Sequence, residues 1–268
     1  MQPSIAQVLD FLLLLFDQNL SYSAINTARC ALSTFIVFGN QTVGSHPLVI
    51  RFLKGVFNQR PSVPRHTVIW DVSVVLNFLK SWSPAKFLGL KELTLKLTML
   101  LALVSAHRTQ SLELLDISHM VVGKTAYKFQ LMETIKTSRP GHGPPMLIFQ
   151  AYAPDKRICV KHYLDIYLNR VKLIRTDSKL LISYKTHKPV ARTTISRWLR
   201  TVLSLAGIGD QFTGHSTRAA ATSAAHDAGV PMEDIMRSAG WSSCQTFAQY
   251  YRKPIEKRKR FADAVLAS

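Results

Sequence analysis

"GHSTRAAATSAAHDAGVPMEDIMRSAGWSSCQTFAQYY", residues 214–251, is the stretch on which the reading of this chain turns. Its alanines and apolar spacing predict helices at about 216–228, 232–239 and 243–252. Helical spacing does not explain why the segment also carries an imidazole (His215), a guanidinium (Arg218), an indole (Trp241) and the phenols of Tyr250 and Tyr251. His215 and Arg218 are three apart and share a helix face. Trp241 follows Arg218 by 23 residues, and Tyr250 follows Trp241 by nine. The stretch is either a helical core with incidental polar residues or the wall of a reactive cleft.

Working outward, the 268 residues suffice for one large domain or two ordinary ones, and 47% hydrophobic content excludes a disordered chain. The charge balance is one-sided: 34 Lys and Arg against 16 Asp and Glu give a net charge of +18. Such a surplus favours a polyanionic partner, either nucleic acid or an acidic membrane face. The longest apolar runs, "FLLLLF" (11–16) and "LTMLLALV" (97–104), fall short of the ~20 residues a membrane span needs, so nucleic acid is favoured. The start "MQPSIAQVLDFLLLLF" has no basic region and carries Asp10, which is unlike a secretory signal. Cys30, Cys159 and Cys244 form no CxxC and leave an odd count, fitting a reducing compartment rather than disulfides or zinc.

The first sixty residues predict three helices. Pro3 and Ser4 open the first, Ser21 or Ser23 caps a second that ends at Gly39, and Pro47 starts a third. "RPSVPRHT" (60–67) has two prolines and almost no apolar pattern, so the expected domains are 1–60, a linker at 61–70, and 71–268. Downstream, Asp71 caps a helix and an apolar helix runs from about Leu93 to Ser105. Then "HMVVG", "AYKFQLME" and "MLIFQAY" (119–123, 126–133, 146–152) predict three short antiparallel strands. Helices follow at about 159–174, 194–206, the three already given, and 255–267. The expected class is mainly α with a small antiparallel three-stranded sheet.

Several familiar motifs fail. "VGKT" (122–125) has Ser118 where a phosphate loop needs glycine, and "GHSTR" has Arg218 where a nucleophile elbow closes on glycine. "GHG" (141–143) lacks a third glycine, no HExxH occurs, and the acids do not cluster as a two-metal site requires. No metal and no cofactor are expected.

Upstream of the opening stretch, Arg108 sits where the apolar helix ends in "SAHRTQS". Lys136 lies 28 residues beyond it, in the loop between the second and third strands. The ordered set Arg108, Lys136, His215, Arg218, Trp241 and Tyr250, with "GHSTR…AGVPMEDIMRSAGW…Y" and the looser "HRTQSLELLDI", resembles the tyrosine recombinase (phage-integrase) family. The resemblance runs over roughly residues 70 to 255. The wording "HSTRAAATSAA" and "AGWSS…YY" is most similar to integrases of eukaryotic DIRS-type mobile elements.

The resemblance implies a two-domain recombinase, a helical core-binding domain and an α+β catalytic domain closing on duplex DNA. Strands are cut and rejoined through a 3′-phosphotyrosine, without metal or ATP. Arg108 and Arg218 hold the non-bridging oxygens of the scissile phosphate, and Tyr250 attacks it. Lys136 protonates the leaving 5′ oxygen, with Lys124 and Lys128 close by in sequence. His215 bonds the phosphate and helps take the tyrosine proton, or else caps its helix. Trp241 packs the site and offers its indole N–H. The nine-residue offset selects Tyr250. Tyr251 points ~100° away on a continuous helix, and a distorted helix exchanges the two. One departure is Ser111, three positions after Arg108, where the family often carries an acid. Glu113 is ~140° around a helix from Arg108.

Arg60 and Arg65 of the linker, and Lys185, Lys188, Arg192, Arg197 and Arg200 of "YKTHKPVARTTISRWLR" (184–200), are the expected DNA contacts, with Arg192 and Arg197 reaching bases. The tail "EKRKRFADAVLAS" is expected to pass Phe261, Val265 and Leu266 to a neighbouring protomer, giving a tetramer on double-stranded DNA. The place of action is the nucleus in a eukaryote, with "KRKR" as an import patch, and otherwise the nucleoid. A type IB topoisomerase-like enzyme and an inactive DNA-binding module are the rival readings. The brevity of the front domain is what a truncated chain or a polyprotein fragment is expected to show.

Overall fold

A computed structural model describes residues 3–61, 67–135, 138, 141, 143–241 and 243–255. The chain divides into two compact units, 1–66 and 67–268.

In the first unit, helix α1 (Ile5–Asp17) opens on a capping box. The Ser4 hydroxyl accepts from the Gln7 amide, and the Gln7 side chain accepts from the Ser4 amide at 2.8 Å. Helix α2 (Tyr22–Leu32) is capped by Ser21. It ends at Leu32, not at Gly39 as its pattern predicts. The hydroxyls of Ser33 and Thr34 donate back to the carbonyls of Arg29 and Ala31, closing the last turn. Gly39, at φ +59, instead turns a short hairpin between β1 (Val37–Phe38) and β2 (Gln41–Thr42). Helix α3 (Pro47–Gln59) carries Pro47 in its first turn. Val8, Leu12, Ile25, Val49, Leu53 and Val56 form the core of this unit.

Arg60 has work inside this unit that the sequence does not betray. Its guanidinium lies 3.8 Å over the Phe16 ring and donates to the carbonyls of Phe16 (2.7 Å) and Leu20 (3.2 Å). It thereby ties the end of α1 and the loop after it to the end of α3. Arg60, expected on the DNA backbone, thus has acceptors within its own unit. Arg65 lies outside the described residues.

The second unit is organised around one buried helix. Helix α4 (Val72–Ser81) is capped by Asp71, and α5 (Leu90–Ser105) follows. Every residue of α5 from Leu93 to Leu103 is buried, so its apolar character runs all round rather than along a stripe. Ala106, at φ +50, ends α5, and a short helix α6 (Thr109–Glu113) that the pattern does not reveal begins after Arg108. The strands are β3 (Met120–Val122), β4 (Ala126–Gln130) and β5 (Met146–Gln150), antiparallel in the order β3-β4-β5. Tyr127 opposite Phe149 and Phe129 opposite Leu147 put the buried residues of the sheet on one face.

Helices α7 (Val160–Val171), α8 (Arg192–Leu205) and α9 (Ser216–Asp227) pack around α5, and α10 (Met232–Ala239) packs on α9. The regular helix expected at 243–252 is a single turn, α11 (Cys244–Thr246), that passes into a π-helical turn at Phe247–Tyr251. The helix expected at 255–267 falls outside the described residues. The class is mainly α with a small antiparallel three-stranded sheet, as the sequence predicts.

Candidate active site

The site begins at the start of α9, which is pinned from two directions. The Trp70 indole donates to Ser216 Oγ at 2.9 Å, and that hydroxyl donates to the Thr213 carbonyl at 2.7 Å. Gly214 passes so close to α8 that a Cβ there would lie 3.0 Å from the Ser196 carbonyl oxygen, which is why the position carries no side chain. His215 occupies the N-cap of α9 but makes no side-chain capping bond, so its ring is not used as a cap.

One helical turn on, Arg218 is 2% exposed. Its Nη2 donates to the Ala239 carbonyl at the end of α10, at 2.7 Å, while its Nε is buried with no partner among the described residues. The guanidinium carbon lies 4.7 Å from the Trp241 ring centre and 5.3 Å from that of Tyr251. Burial first, and then the nearby charge of Arg108, lower its pKa to about 10, with Tyr251 opposing both. Even so, the group remains a cation at neutral pH.

Arg108 reaches this place because the left-handed Ala106 breaks α5 and Arg108 becomes the N-cap of α6. The residue beside it, His107, was not singled out by its sequence pattern. Its Nδ1 lies 3.2 Å from Ser111 Oγ, and burial, then the charges of Arg218 and Arg108, hold its pKa at about 4. It is a neutral imidazole between two cations. Ser111, in the place where an acid is common, is buried and pairs with His107. The spacing of four between His107 and Ser111 was the available signal.

Trp241 follows Gly240, whose φ of +64 ends α10 in the left-handed region. The indole is 8% exposed, and its Nε1 is buried without a partner among the described residues. Its ring centre is 4.6 Å from that of Tyr251, which is also 8% exposed. The His215 ring lies 6.3 Å from the same phenol ring. Arg108, His215, Arg218 and Trp241 are thus brought together, with Tyr251 among them. Lys136 and the side chain of Tyr250 lie outside the described residues.

Such a site is cationic, rich in N–H donors and equipped with a phenol. Unpaired donors on Arg218 and Trp241 are suited to an anion in which negative charge develops. Among the described residues no group of three or more His, Cys, Asp or Glu is placed to hold a metal ion.

Away from this cleft, α8 buries Ile195, Trp198, Leu199 and Val202 and turns Arg192, Arg197 and Arg200 to solvent. Lys185 and Lys188, in the loop before it, are also exposed. Arg197 makes one local bond, to Thr194 Oγ1 at 3.3 Å.

Comparison with known proteins gives concordant findings. The model of the phage integrase family matches residues 76–257. The fold is similar to that of XerH site-specific recombinase bound to palindromic difH substrate, with a TM-score of 0.62 at 13% identity, over 92% of this chain and 68% of that one. It is also similar to the Tn1549 transposon integrase in complex with circular intermediate DNA, with a TM-score of 0.59 at 12% identity, over 99% and 84% of the two chains. A lambda integrase dimer bound to a COC′ core site gives a TM-score of 0.55 at 16% identity, over 94% and 65%. No curated protein matches the chain.

Proposed function

The chain belongs to the phage integrase family, the tyrosine recombinases, and from that premise we propose that it cuts and rejoins strands of duplex DNA through a 3′-phosphotyrosine intermediate. The observation that carries this reading is the meeting of the Arg218 guanidinium, the Trp241 indole and the His215 ring around one phenol, with the charge of Arg108 alongside.

A phosphodiester attacked by a phenol gathers negative charge on its non-bridging oxygens. Arg108 and Arg218 are the forks that hold those oxygens, and the indole Nε1 of Trp241 is a further donor. The attacking oxygen comes from the Tyr250–Tyr251 pair, His215 bonds the phosphate, and Lys136 protonates the leaving 5′ oxygen. Because the phosphotyrosine conserves the bond, rejoining requires no ATP.

DNA engagement is supported by the net charge of +18 and by the exposed cations Lys185, Lys188, Arg192, Arg197 and Arg200. XerH and lambda integrase are bound to DNA in the similar structures, and lambda integrase also forms a tetramer on a Holliday junction. We extend both properties to this chain, with the tail beyond residue 255 as the link between protomers. The wording of residues 215–225 and 239–251 supports an origin in a DIRS-type element, acting in the nucleus.

The test is covalent capture on nicked duplexes, read on denaturing gels. Wild type is expected to become trapped and Arg218→Ala not to. Trapping without exchanged strands would favour a topoisomerase-like enzyme. A gel shift without trapping would favour a binding module.

A further inference from the structure

Tyr250 and Tyr251 lie nine and ten residues after Trp241. On an unbroken α-helix these offsets point in different directions. Between Trp241 and the pair, however, the helix is not regular. The Arg252 amide donates to the Phe247 carbonyl at 2.8 Å, closing a turn over five residues rather than four. Such a π turn contains one residue more than an α turn, so everything beyond it slips by one position. Here the slip turns the tenth residue, Tyr251, toward Trp241, Arg218 and His215.

The backbone around Tyr251 is held by its own unit. Ser223, on the same helix as Arg218, donates its hydroxyl to the Tyr251 carbonyl at 2.8 Å and accepts from the Lys253 amide at 3.3 Å. At the next residue, the Ile69 amide donates to the Pro254 carbonyl at 2.9 Å, and Ile69 pairs with Ile255 in a parallel bridge. Residues 251–255 are therefore fastened at both ends to the unit that carries Arg218.

We propose that Tyr251, not Tyr250, is the nucleophile of strand cleavage and that it acts on the phosphate held by its own protomer. This rests on the strand-transfer reading above and names the atom that performs it. The Tyr251 oxygen bonds to phosphorus as the bond from phosphorus to the 5′ oxygen breaks. The proton lost by the phenol is balanced by the one the 5′ oxygen takes up, and nothing is oxidised or reduced.

The experiment uses the whole chain and a pool of duplexes with randomised cores. Each carries a 5′-bridging phosphorothiolate, whose thiol leaving group does not rejoin. After nuclease and trypsin treatment, the peptide 238–252 is sequenced by tandem mass spectrometry to locate the nucleotide remnant. The remnant is expected on Tyr251. Tyr251→Phe, which retains the packed ring and an unchanged thermal midpoint, is expected to lower capture by about a thousandfold or more. Tyr250→Phe still forms the adduct. A remnant on Tyr250 overturns the assignment. Capture restored by mixing Tyr251→Phe with Arg218→Ala overturns action within one protomer. No adduct on either phenol in wild type overturns the strand-transfer reading itself.

Discussion

Lys96 and Arg218 are both buried cations of the second unit, 0% and 2% exposed, and their surroundings are opposite in kind. Lys96, in the middle of α5, donates to the carbonyls of Leu79 (2.6 Å) and Trp82 (2.7 Å), to the Tyr163 hydroxyl (2.7 Å) and to Ser83 Oγ (3.2 Å). It closes the C-terminus of α4, and burial brings its pKa down to about 7. Arg218 has a carbonyl on one nitrogen, aromatic rings beside it and an Nε with no partner among the described residues. A structural cation is saturated by fixed acceptors. A cation meant for a ligand keeps donors unpaired, which is costly until an anion arrives.

This contrast can be broken by substitution, beginning where the effect is largest. Arg218→Met is expected to lower covalent capture by about a thousandfold or more, as for other guanidiniums that meet a transferring phosphoryl group, with little change in stability. Lys96→Met should do the reverse. Removing the donor shared by the Leu79 and Trp82 carbonyls and the Tyr163 hydroxyl is expected to cost about 3 kcal/mol in urea denaturation, while capture per folded molecule stays the same. If both substitutions act on stability alone, the distinction between the two cations is wrong.

Acidity sharpens the comparison next. His107 is held at about 4, below its ordinary 6.5, so the unfolded chain takes up its proton first as pH falls. Stability should therefore be complete above pH 6.5 and decline toward pH 4 by up to about 3 kcal/mol, a decline that His107→Gln removes. Lys96 follows the same sign in another window: from its unfolded value of 10.5 to about 7, stability falls as pH falls, and Lys96→Met flattens that limb. Denaturation midpoints across pH read both.

Smaller effects test the donors. Trp241→Phe keeps a ring between Arg218 and Tyr251 but removes Nε1, and about a tenfold loss of capture is expected, with stability near wild type. Arg197→Ala, on the exposed face of α8, should reduce the slope of log affinity against log salt by about 0.9 if it meets a phosphate. An unchanged slope with altered sequence preference assigns it to a base instead.

Much of this site was legible in order of residues. His215 with Arg218 at helical spacing, Trp241 after Gly240 and Arg108 at a helix end are local patterns, and the structure gathers them. Other features were hidden by their partners. The bonds of Arg60 to the carbonyls of Phe16 and Leu20, some forty residues earlier, have no local signal in the sequence. The hidden end of α2 depends on hydroxyls bonding back into the helix, which competes with the apolar pattern that a reader follows.

By itself, then, the order of amino acids determined the class, the buried helix α5, the sheet and the set of side chains available for chemistry. These follow from periodicity and turn residues, which act over one or two turns of chain. Only tertiary structure decided which donors are saturated and brought the Tyr251 ring beside the guanidinium. Those outcomes depend on contacts that Ala239, Ser223 and Ile69 supply from far along the chain. A hydrogen bond depends on distance in space, and no local period encodes it.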